Sequence, residues 1–201
     1  MLHVFDIQTV WTYPYTHSPF ELKTQAKKSW ERNLKEFYEH YDTKVKASYV
    51  AVEDQSVVSG ILSAINKYKP QLVVTGTKGK SPVKELLLGG TTKALVKKSP
   101  VPVLAVPEYA ELKDYDRVLY ATDFREVDLQ ALQNLVELVK PFEPEIQVLH
   151  MSTGNEYERF EKMDSLKAMV KDKVSYPAIS FELVLSEDSV NTLNRYMAEN
   201  D

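Results

Sequence analysis

Glycines, lysines and threonines cluster after a short apolar segment in the first half of the chain, in a pattern typical of anion binding. The pattern is Gly-x2-Gly-x9-Gly-Gly-Thr-Thr, and its candidate residues are Gly76, Lys78, Gly79, Lys80, Gly89, Gly90, Thr91 and Thr92. Glycines let the backbone approach an oxyanion closely, and amides at a helix start face that anion. The lysines would supply charge and the threonine hydroxyls further donors. A plain strand-to-helix turn with a solvated rim is the alternative.

Two common phosphate motifs are absent. Gly79-Lys80-Ser81 resembles the end of a P-loop, but the first glycine of that motif would have to stand at Val74. No Gly-x-Gly-x-x-Gly dinucleotide fingerprint occurs, and neither does a Gly-x-Ser-x-Gly elbow of a serine hydrolase. The four histidines have no metal-ligand spacing. The glycine pattern is therefore the main candidate site.

Alternating strands and helices surround this pattern. Short β-branched or apolar runs predict strands at 2–7, 45–52, 72–75, 101–106, 117–122, 146–151 and 179–185. Helical periodicity and capping residues predict helices at about 18–41, 57–68, 91–98, 126–140, 156–173 and 189–200. Such alternation favours parallel βαβ units, so we expect an α/β fold with a doubly wound parallel sheet. In open sheets of this kind, ligands bind at the carboxyl ends of the strands.

The chain contains an internal repeat. Leu2-His3-Val4 reappears as Leu149-His150-Met151, and Glu53-Asp54-Gln55-Ser56-Val57 is echoed by Glu187-Asp188-Ser189-Val190. Both matches keep their order and their setting between strand and helix, which indicates duplication. A polar stretch at 108–116 separates the halves. We expect two related copies, at 1–107 and 117–201, joined by this linker.

Composition restricts the class of protein. The 201 residues carry a net charge of −4, and 43% are hydrophobic, which is enough to form a core. The absence of cysteine excludes a disulfide scaffold, thiol catalysis and Cys-ligated zinc. The acidic balance argues against nucleic-acid binding, and no apolar run reaches the length of a membrane span. We expect a cytoplasmic protein that binds neither nucleic acid nor membranes.

At the glycine pattern the sequence resembles the universal stress protein family. ATP-binding members carry Gly-x2-Gly-x9-Gly-Ser/Thr after the fourth strand of a five-stranded, flavodoxin-like parallel sheet that binds adenine nucleotide. Thr75 to Lys80, Leu86 to Gly89 and Pro102 to Val106 follow that order and spacing. Gly90 departs from the pattern, because the family has Ser or Thr there.

The resemblance implies a function and a ligand. We expect a universal stress protein that binds ATP with magnesium and acts in stress response by nucleotide-dependent regulation, as a homodimer. No residue set for fast chemistry is visible, so it is not expected to be an enzyme beyond slow ATP hydrolysis. The alternative is a nucleotide-free scaffold of the same fold that binds partners or dimerises. An adenylate-forming enzyme is a weaker rival, because its catalytic signatures are absent.

The second half resembles the start of another copy of the family. Tyr120-Ala121-Thr122-Asp123-Phe124 is similar to the first strand, whose terminal Asp lies near the base and ribose. Asp123 could equally be the N-cap of the next helix. The resemblance gives 1–107 no first strand, which would leave a gap between 2–7 and 72–75. We expect 117–122 to fill this gap, from the same chain or from a partner by swapping.

Overall fold

The computed structural model describes residues 1–7, 18–41, 44–77, 88–108, 110, 116–152 and 156–199. The chain divides into two compact units, Met1–Glu111 and Leu112–Asp201. The strands are β1 (Leu2–Phe5), β2 (Val50–Glu53), β3 (Val73–Gly76), β4 (Val103–Val106), β5 (Arg117–Ala121), β6 (Glu145–Ser152) and β7 (Ile179–Leu185). The helices are α1 (Pro19–Glu39), α2 (Val57–Tyr68), α3 (Gly90–Lys98), α4 (Asp128–Val139), α5 (Glu156–Lys173) and α6 (Ser189–Glu199).

In the first unit, β1 pairs with β2 and β3 pairs with β4, all in parallel. The parallel pairing of β1 with β2 confirms the predicted βαβ arrangement. Within the described residues the two pairs are separate two-stranded sheets, so no described strand joins β1 to β3. Strand β2 is shorter than the predicted 45–52, and its residues Val50–Glu53 pair one to one with Leu2–Phe5 of β1.

Helices cover both faces of the β1–β2 pair. On one face, the His3 ring stacks on Trp30 of α1, with ring centroids 3.9 Å apart. On the other face, Gly60 brings α2 against Val4, and a Cβ at Gly60 would lie 2.7 Å from Val4 Cγ1. Since successive side chains of a strand point to opposite faces, α1 and α2 lie on opposite sides of β1.

The second unit is a three-stranded parallel sheet in the order β5–β6–β7. Its core lies between the sheet and the helices α4 and α5, and its buried members are Leu132, Val136, Val139, Ile146, Val148, Leu166 and Val170. Helix α6 lies on the other face of the sheet. There the Gln147 side chain of β6 donates to Glu182 of β7 and to the Tyr196 hydroxyl of α6, and that hydroxyl donates to Glu182. The predicted α/β class with parallel strands and helices on both faces is confirmed.

The expectation that 117–122 would fill a gap between 2–7 and 72–75 of the same chain is wrong. Among the described strands, β5 pairs only with β6, with Tyr120 opposite Val148 and Ala121 opposite Leu149. Leu149 of β6 accepts the Thr122 N–H at 2.9 Å, which holds the end of β5 in its own sheet.

Candidate functional site

The described part of the glycine pattern lies where β3 ends and α3 begins. Gly76 is the last residue of β3, Gly89 is the N-cap of α3, and Gly90 is the first residue of that helix. Leu88 and Thr77 lie beside them in the chain, while Lys78, Gly79 and Lys80 fall outside the described residues. Four of the predicted site residues in this unit therefore meet Gly76 at one strand end: Gly89, Gly90, Thr91 and Thr92.

Two hydrogen bonds hold the ends of this loop together. The Gly89 N–H donates to the Thr77 carbonyl at 2.7 Å, and the Thr92 hydroxyl donates to the Gly76 carbonyl at 2.8 Å. Thr92 is buried, with 3% of its surface exposed, so its hydroxyl proton is committed to the strand end. Within the described residues, Thr92 thus fixes the first turn of α3 against β3, and the half-buried Thr91 lies beside it.

The N-terminus of α3 differs from those of α1 and α2. Ser18 and Ser56 accept backbone N–H groups of their own helices through their side chains. Gly89 has no side chain to do so, and no acidic residue stands in the first turn of α3. The first amides of α3 therefore have no side-chain acceptor from the N-cap, which leaves them suited to an anion.

Space is open at Gly90. A Cβ built on this residue meets no atom of the described structure within 4 Å, and its φ is not in the left-handed region. A side chain could therefore stand here without a clash. Gly90 lacks the hydroxyl that the family pattern has at this position, and the packing of the described residues does not require a glycine there.

Asp123 lies in the second unit, after the end of β5. Its carboxylate is exposed and pairs with the Arg125 guanidinium at 3.2 Å. The alternative that Asp123 caps the following helix is wrong, because α4 begins at Asp128 with Val127 as its N-cap. Its carboxylate is thus not used as a cap.

Asp128 is the residue that sequence reasoning missed. It is buried, with 9% of its surface exposed, and Oδ2 accepts the Thr122 hydroxyl at 2.5 Å and the Arg125 N–H at 3.0 Å. Oδ1 accepts the Tyr120 hydroxyl at 3.3 Å. Burial, followed by the Asp128 charge and hydrogen bond, raises the pKa of Tyr120 to about 12. The carboxylate therefore fixes the turn between β5 and α4.

His150 completes this turn from β6. Its Nδ1 lies 2.7 Å from the Thr122 carbonyl, and because a carbonyl only accepts, Nδ1 carries the proton. The His150 ring also lies against Phe124, with centroids 4.1 Å apart, and Phe124 has a positive φ of 57°. These contacts give His150 a structural role in the turn. A Thr six residues before an Asp is too common a spacing to have singled out Asp128.

The described residues contain few other candidate sites. In the described part of the chain, no group of three or more His, Asp or Glu residues could hold a metal ion. No helix among those residues is long and apolar enough to cross a membrane. A cavity of about 290 Å³ lies between Phe124, Arg125 and the α5 residues Lys162, Ser165 and Met169.

Residues 2–107 match the sequence model of the universal stress protein family, which is more than half of the chain. The chain belongs to the universal stress protein family. The match to the family model confirms the resemblance drawn from the glycine pattern of this universal stress protein. Family membership supports a role in stress response, and members of this family are generally not classical enzymes.

Two solved structures share the fold of this chain. A universal stress protein from Archaeoglobus fulgidus DSM 4304 superposes with a TM-score of 0.67 at 19% identity, over 99% of this chain and 71% of that one. A protein from Pseudomonas aeruginosa UCBPP-PA14, whose name assigns it to the same family, superposes with a TM-score of 0.55 at 11% identity. That match covers 99% of this chain and 77% of the other. No curated protein sequence matches the chain.

Proposed function

We propose that this universal stress protein binds ATP, with magnesium, where β3 meets α3, and that the bound nucleotide regulates its action in stress response. The observation that carries the proposal is the tie between Thr92 and Gly76, which holds the start of α3 against the strand end. The tie presents the first amides of α3, which no side chain caps, at the carboxyl end of a parallel strand. Ligands of open α/β sheets bind at such ends.

Each residue of the loop has a proposed role. Gly76, Gly79, Gly89 and Gly90 give the phosphates access to the backbone, and the Thr91 hydroxyl adds a donor. Lys78 and Lys80 supply positive charge, and the magnesium would be held by the phosphates and water. Thr92 positions the helix through its bond to the Gly76 carbonyl.

We do not propose an enzymatic activity for this protein. Any ATP hydrolysis should be slow, because no general base or nucleophile stands in the described part of the loop. The family resemblance adds two further expectations to the proposal: the protein forms a homodimer, and it is located in the cytoplasm.

Binding can be tested by the thermal unfolding of the purified chain. Millimolar ATP with magnesium should raise the melting temperature, since a ligand that binds only the folded state stabilises it. Gly89→Val should remove this rise, because a branched side chain would block the approach of a phosphate to the loop backbone. Mass spectrometry of the denatured protein should also find adenine nucleotide that was carried through purification.

A nucleotide-free scaffold that binds partners is the second candidate function. Gly90 favours it, because the family pattern has a hydroxyl at this position and this chain lacks it. The two candidates differ in one result: a scaffold would show no change in melting temperature with ATP.

A further inference from the structure

The backbone at Phe124 adopts the left-handed conformation, which a bulky residue rarely takes. Its φ is 57°, its N–H donates to the Thr122 hydroxyl at 3.0 Å, and its ring lies against His150, with centroids 4.1 Å apart. Backbone conformations of this kind persist where the surrounding structure holds them, and they cluster at ligand sites. The contacts with Thr122 and His150 therefore fix the place of the Phe124 ring just after the end of β5.

A cavity of about 290 Å³, which we call the turn cavity, separates this turn from one side of α5. It is lined by Phe124 and Arg125 of the turn and by Glu161, Lys162, Ser165, Leu166 and Met169 of α5. Neighbours among these α5 residues are three or four positions apart, so they share one side of the helix. The volume is near the lower end for small-molecule sites, so the turn cavity suits a small ligand.

Three apolar residues, Phe124, Leu166 and Met169, form what we call the apolar wall of the turn cavity. Leu166 is buried, Phe124 is half-buried, and Met169 is 43% exposed. Aromatic rings pack favourably against other rings and against methionine sulfur, and they bury a large apolar area when they do so. The apolar wall therefore favours an aromatic group in the ligand.

The charged residues of the turn cavity favour an anion. Arg125 and Lys162 are cationic and Glu161 is the one carboxylate that lines the cavity, whereas the whole chain has a net charge of −4. Lys162 makes no ion pair within the described residues, and Arg125 pairs with the exposed Asp123 at 3.2 Å. The Ser165 hydroxyl already donates to the Glu161 carbonyl at 2.9 Å. Side-chain donors for an anion therefore come from Arg125 and Lys162.

We propose that the turn cavity binds a small aromatic monocarboxylate. The ring of this ligand packs against the apolar wall, and its carboxylate accepts hydrogen bonds from Arg125 and Lys162. The guanidinium suits a carboxylate because its planar donors can meet both oxygens. A single negative charge fits better than the two of a phosphate ester, because Glu161 and Asp123 would repel the second. The site lies in the second unit, and the inference does not depend on nucleotide binding.

The probe is phenylbutyrate, added to the full chain. Titration calorimetry should detect saturable binding with a Kd of about 1 mM, as expected for a ligand of this size. In an NMR spectrum, the backbone amide signals of Phe124, Arg125 and Ser165 should shift along the same titration. The uncharged amide phenylbutyramide and the ring-free butyrate should each bind at least about fivefold more weakly, because the first lacks the charge and the second lacks the ring.

Charge variants test the two cations. Lys162→Met keeps most of the side chain and removes its charge, so phenylbutyrate should bind about fivefold more weakly. Lys167→Met is the matched control, because Lys167 stands on the same helix, pairs with Asp164 and does not line the turn cavity; binding should not change. Asp123→Asn removes the carboxylate that competes for Arg125, so binding should become about threefold stronger.

A filled cavity completes the test. Ser165→Trp places an indole in the turn cavity, and because Ser165 is exposed the variant should keep its circular dichroism spectrum and lose binding. Absence of saturable binding in the millimolar range, equal binding of the amide, or equal effects of Lys162→Met and Lys167→Met would overturn the proposal. So would displacement of the probe by ATP, because the turn cavity would then belong to the nucleotide.

Discussion

The Thr92 hydroxyl donates to the Gly76 carbonyl across the start of α3, and this bond joins two residues that stand sixteen positions apart in the chain. Gly76 ends β3, and Thr92 lies in the first turn of α3, where it is almost completely buried. The bond therefore sets the distance between a strand end and a helix N-terminus at the proposed nucleotide site. Its removal should affect both the fold of this loop and its ligand.

Thr92→Val tests this bond. The valine keeps the volume but leaves the Gly76 carbonyl without its hydroxyl donor, so the free energy of unfolding should fall by about 1–3 kcal/mol. Urea unfolding followed by circular dichroism measures the change. Thr92→Ser keeps the hydroxyl and should lose less, and Thr91→Val should change stability little, since Thr91 is only half-buried. Equal losses in Thr91→Val and Thr92→Val would show that the bond has no special role.

Gly90→Ser tests what the missing hydroxyl costs. The site has room for the side chain, because a Cβ at Gly90 meets nothing within 4 Å. A hydroxyl at this position should strengthen ATP binding by up to about tenfold, which titration calorimetry can measure. Gly90→Ala adds the same Cβ without the hydroxyl and serves as the control. If the Gly90→Ala and Gly90→Ser variants bind ATP with equal affinity, the added hydroxyl donor has no part in the site.

Asp128→Ala tests the turn after β5. The change leaves the Thr122 hydroxyl and the Arg125 N–H without their acceptor in a buried place, so stability should fall by about 2–4 kcal/mol. Asp123→Ala is the matched control, since its carboxylate is exposed and pairs only with Arg125 among the contacts described; its effect should stay within about 0.5 kcal/mol. A large loss in Asp123→Ala with none in Asp128→Ala would contradict this account of the turn.

His3 and Trp30 make a prediction about pH. Burial lowers the pKa of His3 below its usual 6.5, so the folded state disfavours the charged ring. The stability from neutral His3 is complete above pH 6.5 and is lost as the pH falls through the lowered pKa. Because the His3 and Trp30 rings stack, protonation of His3 should change the environment of Trp30. In a Trp11→Phe background, Trp30 fluorescence should therefore fall as the pH is lowered, with a midpoint below pH 6.5. A midpoint above 6.5, or the same curve in His3→Gln, would refute this reading.

Local signals in the sequence predicted much of the fold. The order Ser18-Pro19-Phe20-Glu21 predicted the start of α1, and the structure has the full capping box, with the Ser18 N–H donating to Glu21 Oε2 at 2.9 Å. Likewise, the glycine pattern placed the candidate loop after β3. These features depend on residues close together in the chain, so periodicity and caps are enough to find them.

Features that depend on distant residues were not predictable in this way. Strand β2 pairs with β1 from Val50 opposite Leu2 to Glu53 opposite Phe5, and the sequence of β2 alone does not contain that register. The buried acceptor role of Asp128 depends on how the turn brings the Thr122 hydroxyl to it, and His150 of β6 holds that turn at the Thr122 carbonyl. The placement of 117–122 was wrong because an unfilled edge in one unit does not determine which strand fills it.

The most direct test of ATP binding is the melting temperature of the full chain with and without millimolar ATP and magnesium, measured beside Gly79→Val and Gly89→Val. The account predicts a rise in the original chain that neither variant shows, while both variants remain folded in the absence of nucleotide. An original chain whose melting temperature does not change with ATP would contradict the nucleotide site.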